Sequence, residues 1–567
     1  MIPSYKLPSL RKETTARWAW PLLGMGMLIL FSYNWYRALK YGEGMWTAGH
    51  DLKHYGTLAR NFLRGLGFRV DAIHVMQLSD AKHSLDSYVF AFIHPLIIAV
   101  LMKVLKDPSY MPVFYTTAIY MTLILPLAYL FLRRAVSPGL ALWGAFLLAF
   151  CPSLLNLELL GLTESLMFVV LFILLISLFQ IRAPLVSAFV SGLCLGILHL
   201  SRATGMILAP GFFFVTWRTR KMLGLVLFAI GFLLPTALGM WSSSRGDIKY
   251  AETYSPIKEI EHFGGPDLNV YMPERPSTLK GLWMYREFVF RKAMSYGTRM
   301  LKEINAWWGD WWVFAPAMLF LLWRKRSPWL VFFLLSYATS MASVLLFWYD
   351  YRVQIHLVGF HLFFALCYLK LLWRTIDRKS AIRAGLFFVG LALINRHLSP
   401  VAFLVMESLI AVILLLPVLG RSWSRAMKPM AGALAFGFCL MVQWQEVKLN
   451  WINFHEPERP GIKAYQQSMT HLRELGISQD SLIIARYQRD VTWFSDNRCL
   501  AIPWNLKETM AFLKRFPEEK YFLFTERPEE FFDAELRSLG LKEIAGGYPN
   551  LWIYGPRKVP RPSSSTS

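Results

Sequence analysis

Charge is scarce in this 567-residue chain: Asp, Glu, Lys and Arg together make up 17% of it, against about 25% in an ordinary soluble protein. Cysteine is scarcer still, at five. Cys151, Cys194, Cys367 and Cys439 stand in apolar runs and Cys499 in a polar segment, a distribution that argues against a structural disulfide. No Asn-x-Ser/Thr glycosylation site occurs, which favours a bacterial inner membrane over the endoplasmic reticulum. Also missing are a phosphate-cradling glycine loop, the HExxH and CxxC metal patterns and any internal repeat. What abounds is apolar: hydrophobic residues reach 55% and aromatics 16%, with 22 Trp, 24 Tyr and 42 Phe. Trp and Tyr gather where an apolar body and a polar tip are both satisfied, as at membrane interfaces. Disordered and collagen-like chains are excluded, and a polytopic membrane protein is expected.

The net charge is +23. No basic run interleaved with aromatics accompanies it, so nucleic acid is not an expected partner. The excess is instead explained by orientation, because Lys and Arg collect in short cytoplasmic loops. The first apolar run, Trp18 to Leu39, follows Lys6, Arg11, Lys12 and Arg17 and has no small-residue cleavage site behind it. It reads as an uncleaved first span with the N-terminus in the cytoplasm. Further spans are expected over 112–132, 139–157, 164–181, 184–200, 203–217, 222–242, 311–323, 328–348, 354–373, 384–395, 401–419 and 427–445, about thirteen transmembrane helices in all. This arrangement puts 20 basic residues of the N-terminal flank and short loops inside and only Arg202, Arg352 and Arg396 in short outer turns.

Between the first two spans, two helical pieces are expected, Asp51 to Arg64 and Pro95 to Lys106. At about 1.5 Å per residue the second is too short for a bilayer of about 30 Å. Counting it as a span would invert every later loop against the charge pattern. The chain therefore divides into a transmembrane region over 1–445 with outer loops 40–111 and 245–310, a small outer α/β domain over 446–556, and a Pro- and Ser-rich disordered tail over 557–567. Within the outer domain, strands are expected at Leu482–Ala485, Tyr521–Phe524 and Leu551–Tyr554, with helices at Leu506–Phe516 and Glu529–Leu539. The aromatic group Trp307, Trp308, Trp311 and Trp312 reads as an interfacial belt.

Ionisable groups at membrane depth are costly and default to functional candidates. Asp51 starts an outer helix, His94 opens the Pro95 helix, Glu164 starts the fourth span, and Arg202 and Arg352 sit at outer turns. All five face one compartment. Structural explanations stand beside the functional ones: Asp51 and Glu164 suit the positive end of a helix dipole, His94 is a common helix-start polar group, and the arginines serve equally as headgroup anchors.

In order along the chain come Asp51 with Tyr55-x-x-x-Ala-Arg-Asn-Phe-Leu-Arg-Gly-Leu-Gly-Phe68, then His94-Pro95, Leu159-Leu-Gly-Leu-Thr-Glu164-Ser, and Leu200-Ser-Arg202-Ala-Thr-Gly205. In these features, from Trp18 to about Arg220, the chain resembles a C-type glycosyltransferase of the branch containing protein O-mannosyltransferases and the lipid A aminoarabinose transferase. It departs from that pattern at Leu96, where many relatives have a second proline, and at Arg202-Ala203, where Arg-Pro is common. The resemblance implies an integral-membrane enzyme that moves a monosaccharide from a polyprenyl-phosphate donor to a hydroxyl of a glycan, lipid or protein acceptor on the extracytoplasmic side, with inversion. It implies Asp51 as general base, Glu164 as a second catalytic carboxylate, and Arg202 and Arg352 as grips on the donor phosphate. His94 is assigned a substrate or metal contact; no ligand spacing decides whether a divalent cation takes part. Two other functions remain open. A transporter or lipid flippase should show inverted repeats and charges at mid-membrane, and an oligosaccharide ligase should carry its largest outer loop late with His and Arg in it.

Overall fold

The computed structural model describes residues 18–48, 50–73, 91–151, 154–155, 163–202, 204–245, 283, 286–302, 310–346, 354–372, 400–419, 431–432, 434–435, 437–438, 469, 472–485, 488–501, 519–524, 527–528, 530–548 and 551–556. Arg352, Trp307, Trp308, the expected span 384–395, most of 427–445, the helical pattern Leu506–Phe516 and the tail 557–567 lie outside them.

The first helix, α1 (Ala19–Ala48), outruns its apolar segment by nine residues. At 1.5 Å per residue it is about 45 Å long, which carries its last turns beyond a bilayer core of about 30 Å. Ala19, Leu23, Leu30, Asn34, Arg37 and Ala38 are buried, whereas Leu28, Ile29, Tyr36 and Leu39 are exposed; this is the one-sided stripe of a helix packed against protein on one face. Two shorter helices follow, α2 (His50–Leu63) and α3 (Ile93–Leu105). Only 13 residues long, α3 packs on α2 and does not span.

The apolar helices then run α4 (Met111–Ala135), α5 (Pro138–Ala149), α6 (Glu164–Gln180), α7 (Pro184–Ser201) and α8 (Thr204–Ser243). The helix α8 is two arms: Lys221 takes φ 59° and ψ −169° and breaks it, where Arg218, Arg220 and Lys221 had marked a turn between two spans. An amphipathic helix α9 (Arg286–Lys302) precedes α10 (Ala315–Arg324), α11 (Pro328–Leu346), α12 (Ile355–Leu372) and α13 (Pro400–Leu419). Among the described residues, four helices are long and apolar enough to cross a membrane by length and composition. The shortfall against thirteen expected spans has a plain cause. Two apolar helices, α6 and α12, reach 17 residues within the searched range, one short of 18, and α5 has only 12; other expected spans lie partly or wholly outside the described residues.

One apolar core joins these helices, with Tyr129, Phe168, Phe212, Phe228, Phe314 and Tyr368 fully buried in it. Trp311 belongs there too, at 2% exposure, so it is a core residue and not part of an interfacial belt. In lipid, helices associate through close van der Waals packing at small residues. The α7–α8 crossing shows this: a Cβ on Gly192 would collide with the Phe228 backbone, and one on Gly231 would strike the Phe189 carbonyl and lie 2.8 Å from the Leu193 nitrogen. Gly192→Val should therefore force the helices apart and cost about 1–3 kcal/mol or more. A thermal-melt series in detergent checks this, and an unchanged midpoint would refute the tight crossing.

The C-terminal part is a six-stranded mixed sheet: β2 (Leu482–Ala485), β3 (Cys499–Ala501), β4 (Lys520–Phe524), β5 (Lys542–Tyr548) and β6 (Leu551–Gly555), with a strand β1 (Ala72–Ile73) from the segment between α2 and α3. The order is β1-β3-β2-β4-β6-β5. The first four are parallel; β6 runs antiparallel to β4, and β5 to β6. Helices α14 (Gln488–Ser495) and α15 (Glu530–Ser538) join β2 to β3 and follow β4. Cys499, expected in a polar segment, is fully buried at the start of β3, where burial pushes its thiol well up. Because β1 pairs with β3, the segment between α2 and α3 and the C-terminal sheet occupy the same side of any membrane.

Candidate functional site

Glu164 is the first residue of α6, where the dipole's positive end favours a carboxylate. Its side chain is completely buried. Arg202 follows the last residue of α7 and turns into extended backbone (φ −165°, ψ 147°). Its Nη1 donates to Glu164 Oε1 in a charge-assisted pair. Two residues 38 apart in sequence, read separately as a catalytic carboxylate and a phosphate grip, are thus one unit. The Arg202 side chain keeps 18% exposure. Glu164 Oε2 is buried with no hydrogen-bond partner among the described residues.

His94, on the first turn of α3, is likewise fully buried. Its ring meets Tyr55 edge-on at 4.8 Å between centroids, and its Nδ1 lies 3.4 Å from the Tyr120 hydroxyl. The helix α3 touches α2, α4 and α7, so it lies between the Asp51-bearing helix and the helix that ends at Arg202. Asp51 is the second residue of α2, one turn before Tyr55. Arg352 lies outside the described residues, two positions before Gln354. The buried Gln354 donates to the Ser340 carbonyl at 3.2 Å, and Ser340 Oγ lies 3.0 Å from His356 Nε2. Among the described residues no group of three His, Cys, Asp or Glu side chains is placed to hold a metal ion.

Three buried polar groups escaped the reading of the sequence. Asn34 and Arg37, one turn apart on α1, are 0% and 2% exposed. Arg37 Nη1 donates to the Leu155 carbonyl at 3.2 Å, nine residues before Glu164. Neither amide atom of Asn34 has a partner among the described residues. Glu407 is buried on α13 and accepts from the Trp312 indole at 3.1 Å. The signal was present in each case: a polar side chain inside an apolar run is a candidate by default.

The helix α2 is buried over most of its surface. Residues 52–54 and 56–59 are all buried, including Lys53 and His54, while Phe62 and Leu63 are exposed. The reason is that α2 is covered on two sides, by α3 and by α14.

No family model and no curated protein matches the chain. Among solved structures it is similar to ArnT from Cupriavidus metallidurans bound to undecaprenyl phosphate, at 12% identity over 95% of this chain and 98% of that one, with a TM-score of 0.47. It is also similar to the archaeal oligosaccharyltransferase AglB from Archaeoglobus fulgidus in complex with an inhibitory peptide and a dolichol-phosphate, at 13% identity over 92% of this chain and 71% of that one, with a TM-score of 0.49.

Proposed function

We propose that the chain is an integral-membrane glycosyltransferase that moves a monosaccharide from a polyprenyl-phosphate donor to an acceptor hydroxyl. The observation that carries this reading is the pair between the fully buried Glu164 and the partly exposed Arg202, with the second carboxylate oxygen unpartnered among the described residues. Taking the Glu164 carboxylate fully out of water costs several kcal/mol of desolvation, a cost that function explains better than stability does. In this reading the guanidinium faces the leaving phosphate and Glu164 orients the acceptor. Asp51 takes the acceptor proton as its oxygen bonds to the anomeric carbon. The bond to the phosphate breaks in the same displacement, and the phosphate leaves as the polyprenyl phosphate anion. Attack from the opposite face inverts the anomeric centre. His94, buried against Tyr55 and Tyr120 on the helix between α2 and α7, is the nearest candidate for a substrate contact on that side.

Incubating the purified protein with radiolabelled polyprenyl-phosphate sugar and a hydroxyl acceptor tests the reading. Label should pass to the acceptor. Movement of the lipid across a vesicle bilayer without transfer would identify a flippase, and transfer only from a diphosphate-linked oligosaccharide would identify a ligase.

The reaction side is proposed to be extracytoplasmic, opposite the N-terminus. The basis is the division of 20 basic residues against three across the flank and short loops. Single cysteines introduced at Ser84, Ser277 and Ser478 should all react with an impermeant maleimide on intact cells. Labelling at 84 with protection at 478 would overturn the orientation of the later helices.

A further inference from the structure

Several contacts fasten α2 and the segment after it to the C-terminal domain, among them ion pairs of Arg60 and Arg64 with Asp496 at 3.5 and 3.1 Å. Lys53 Nζ lies 2.5 Å from Asp490 Oδ1 on α14, with the two side chains 0% and 1% exposed. Two turns further along α2, the Arg60 guanidinium lies 3.6 Å over the Trp493 ring and donates to the Trp493 carbonyl at 2.9 Å. Beyond the helix, β1 extends the sheet edge in register with β3, Ala72 opposite Cys499 and Ile73 opposite Leu500. The Cys499 amide also donates to the Asp71 carbonyl at 2.8 Å.

Trp493 continues this seam inward. It packs in one cluster with Ala38, Leu52, Ile98, Met102 and Phe114, drawn from α1, α2, α3 and α4. The C-terminal domain is therefore built into the core beneath the first outer loop. Burial pushes the Lys53 ammonium down and Asp490 pulls it back up. Burial likewise pushes Arg60 down, to about 10, which leaves it charged at neutral pH.

An ion pair this deeply buried is a poor source of stability, since apolar residues of similar volume often do as well or better. What it supplies is one allowed register. Two pins seven residues apart, about 10 Å along a helix, fix both the rotation and the axial position of α2. The strand β1 then fixes the chain that leaves it. Asp51 stands two residues before the first pin.

We propose that Lys53 and Asp490 are positioning residues for transfer, through which the C-terminal domain sets the placement of the helix that carries Asp51. This rests on the reading of Asp51 as the transfer base. A misplacement of about 1 Å in a reacting group costs up to about 100-fold in rate, so a loosened α2 should act on turnover rather than on affinity.

Full-length Asp490→Asn protein provides the test, read by steady-state kinetics and by amide hydrogen exchange. Turnover should fall about 10- to 100-fold while the KM values for donor and acceptor hold. Exchange should accelerate over residues 50–63 and not over 164–180. The paired variant Lys53→Met with Asp490→Leu keeps the seam filled without charge and should recover both the protection of α2 and most of the turnover. If Asp490→Asn loosens 164–180 as well, the paired variant decides: a protected α2 without recovered turnover overturns the proposal. So does slower turnover of Asp490→Asn with unchanged protection of α2, which would make Asp490 act directly, and so does no change in either. Wild-type protein that transfers no sugar would instead refute the functional reading, while the exchange data still report whether the pair holds α2.

Discussion

Asp51→Asn protein should insert and melt like the wild type yet transfer sugar about 100- to 10,000-fold more slowly, the span typical of losing a general base. Asparagine keeps the shape of the side chain and one acceptor oxygen, but it cannot take the hydroxyl proton. The structural loss is small. Asp51 is the second residue of α2, where a carboxylate gains about 0.3–1 kcal/mol from the helix dipole. The helix is held instead by its burial against α3 and α14 and by Lys53 and Arg60. A purely structural Asp51 would show the opposite pattern, a slightly lowered melting temperature with turnover intact. Transfer at near wild-type rate by correctly inserted Asp51→Asn protein would remove Asp51 from the mechanism.

How much of this was legible in the sequence follows from the range of the interactions concerned. Local signals read well. The apolar runs gave α4, α6, α7 and α11 nearly to the residue, the basic triplet at 218–221 marked the break in α8, and the short runs at 482, 521 and 551 are strands. What failed were pairings across long separations. The contact between β1 and β3 joins Ala72 and Ile73 to Cys499 and Leu500, and a strand of two residues carries no alternation to detect. Nothing local to Lys53 signals its burial, because its partner lies 437 positions away. The same holds for Glu164 and Arg202. Their presence at one edge was readable from topology, whereas their union depends on how α6 and α7 pack.

The union of Glu164 and Arg202 leads to the second large effect. Removing one member of a buried pair costs about 3–5 kcal/mol, because the other is left desolvated and uncompensated. The two ends are unequal here: Glu164 is fully buried and Arg202 is 18% exposed. Arg202→Met should therefore be the more destabilising single change, since the guanidinium left by Glu164→Gln can turn toward water and still donate to the amide oxygen. The double variant should regain much of the loss of Arg202→Met, as apolar and neutral groups replace a stranded charge. Arg202→Lys separates stability from function. Lysine keeps a charge beside Glu164 but lacks the planar fork that grips phosphate oxygens in two-pronged fashion. Stability should then change little, while kcat/KM for the lipid-linked donor falls by about one to two decades, the equivalent of a charge-assisted contact of about 1.5–3 kcal/mol. The acceptor's constants should move much less. Melting curves for the four proteins of the cycle, with both substrates titrated against Arg202→Lys, carry the measurement. If Arg202→Lys melts as early as Arg202→Met, the pair is structural. If it shifts only the acceptor's constants, the guanidinium serves the acceptor and the donor phosphate is held elsewhere.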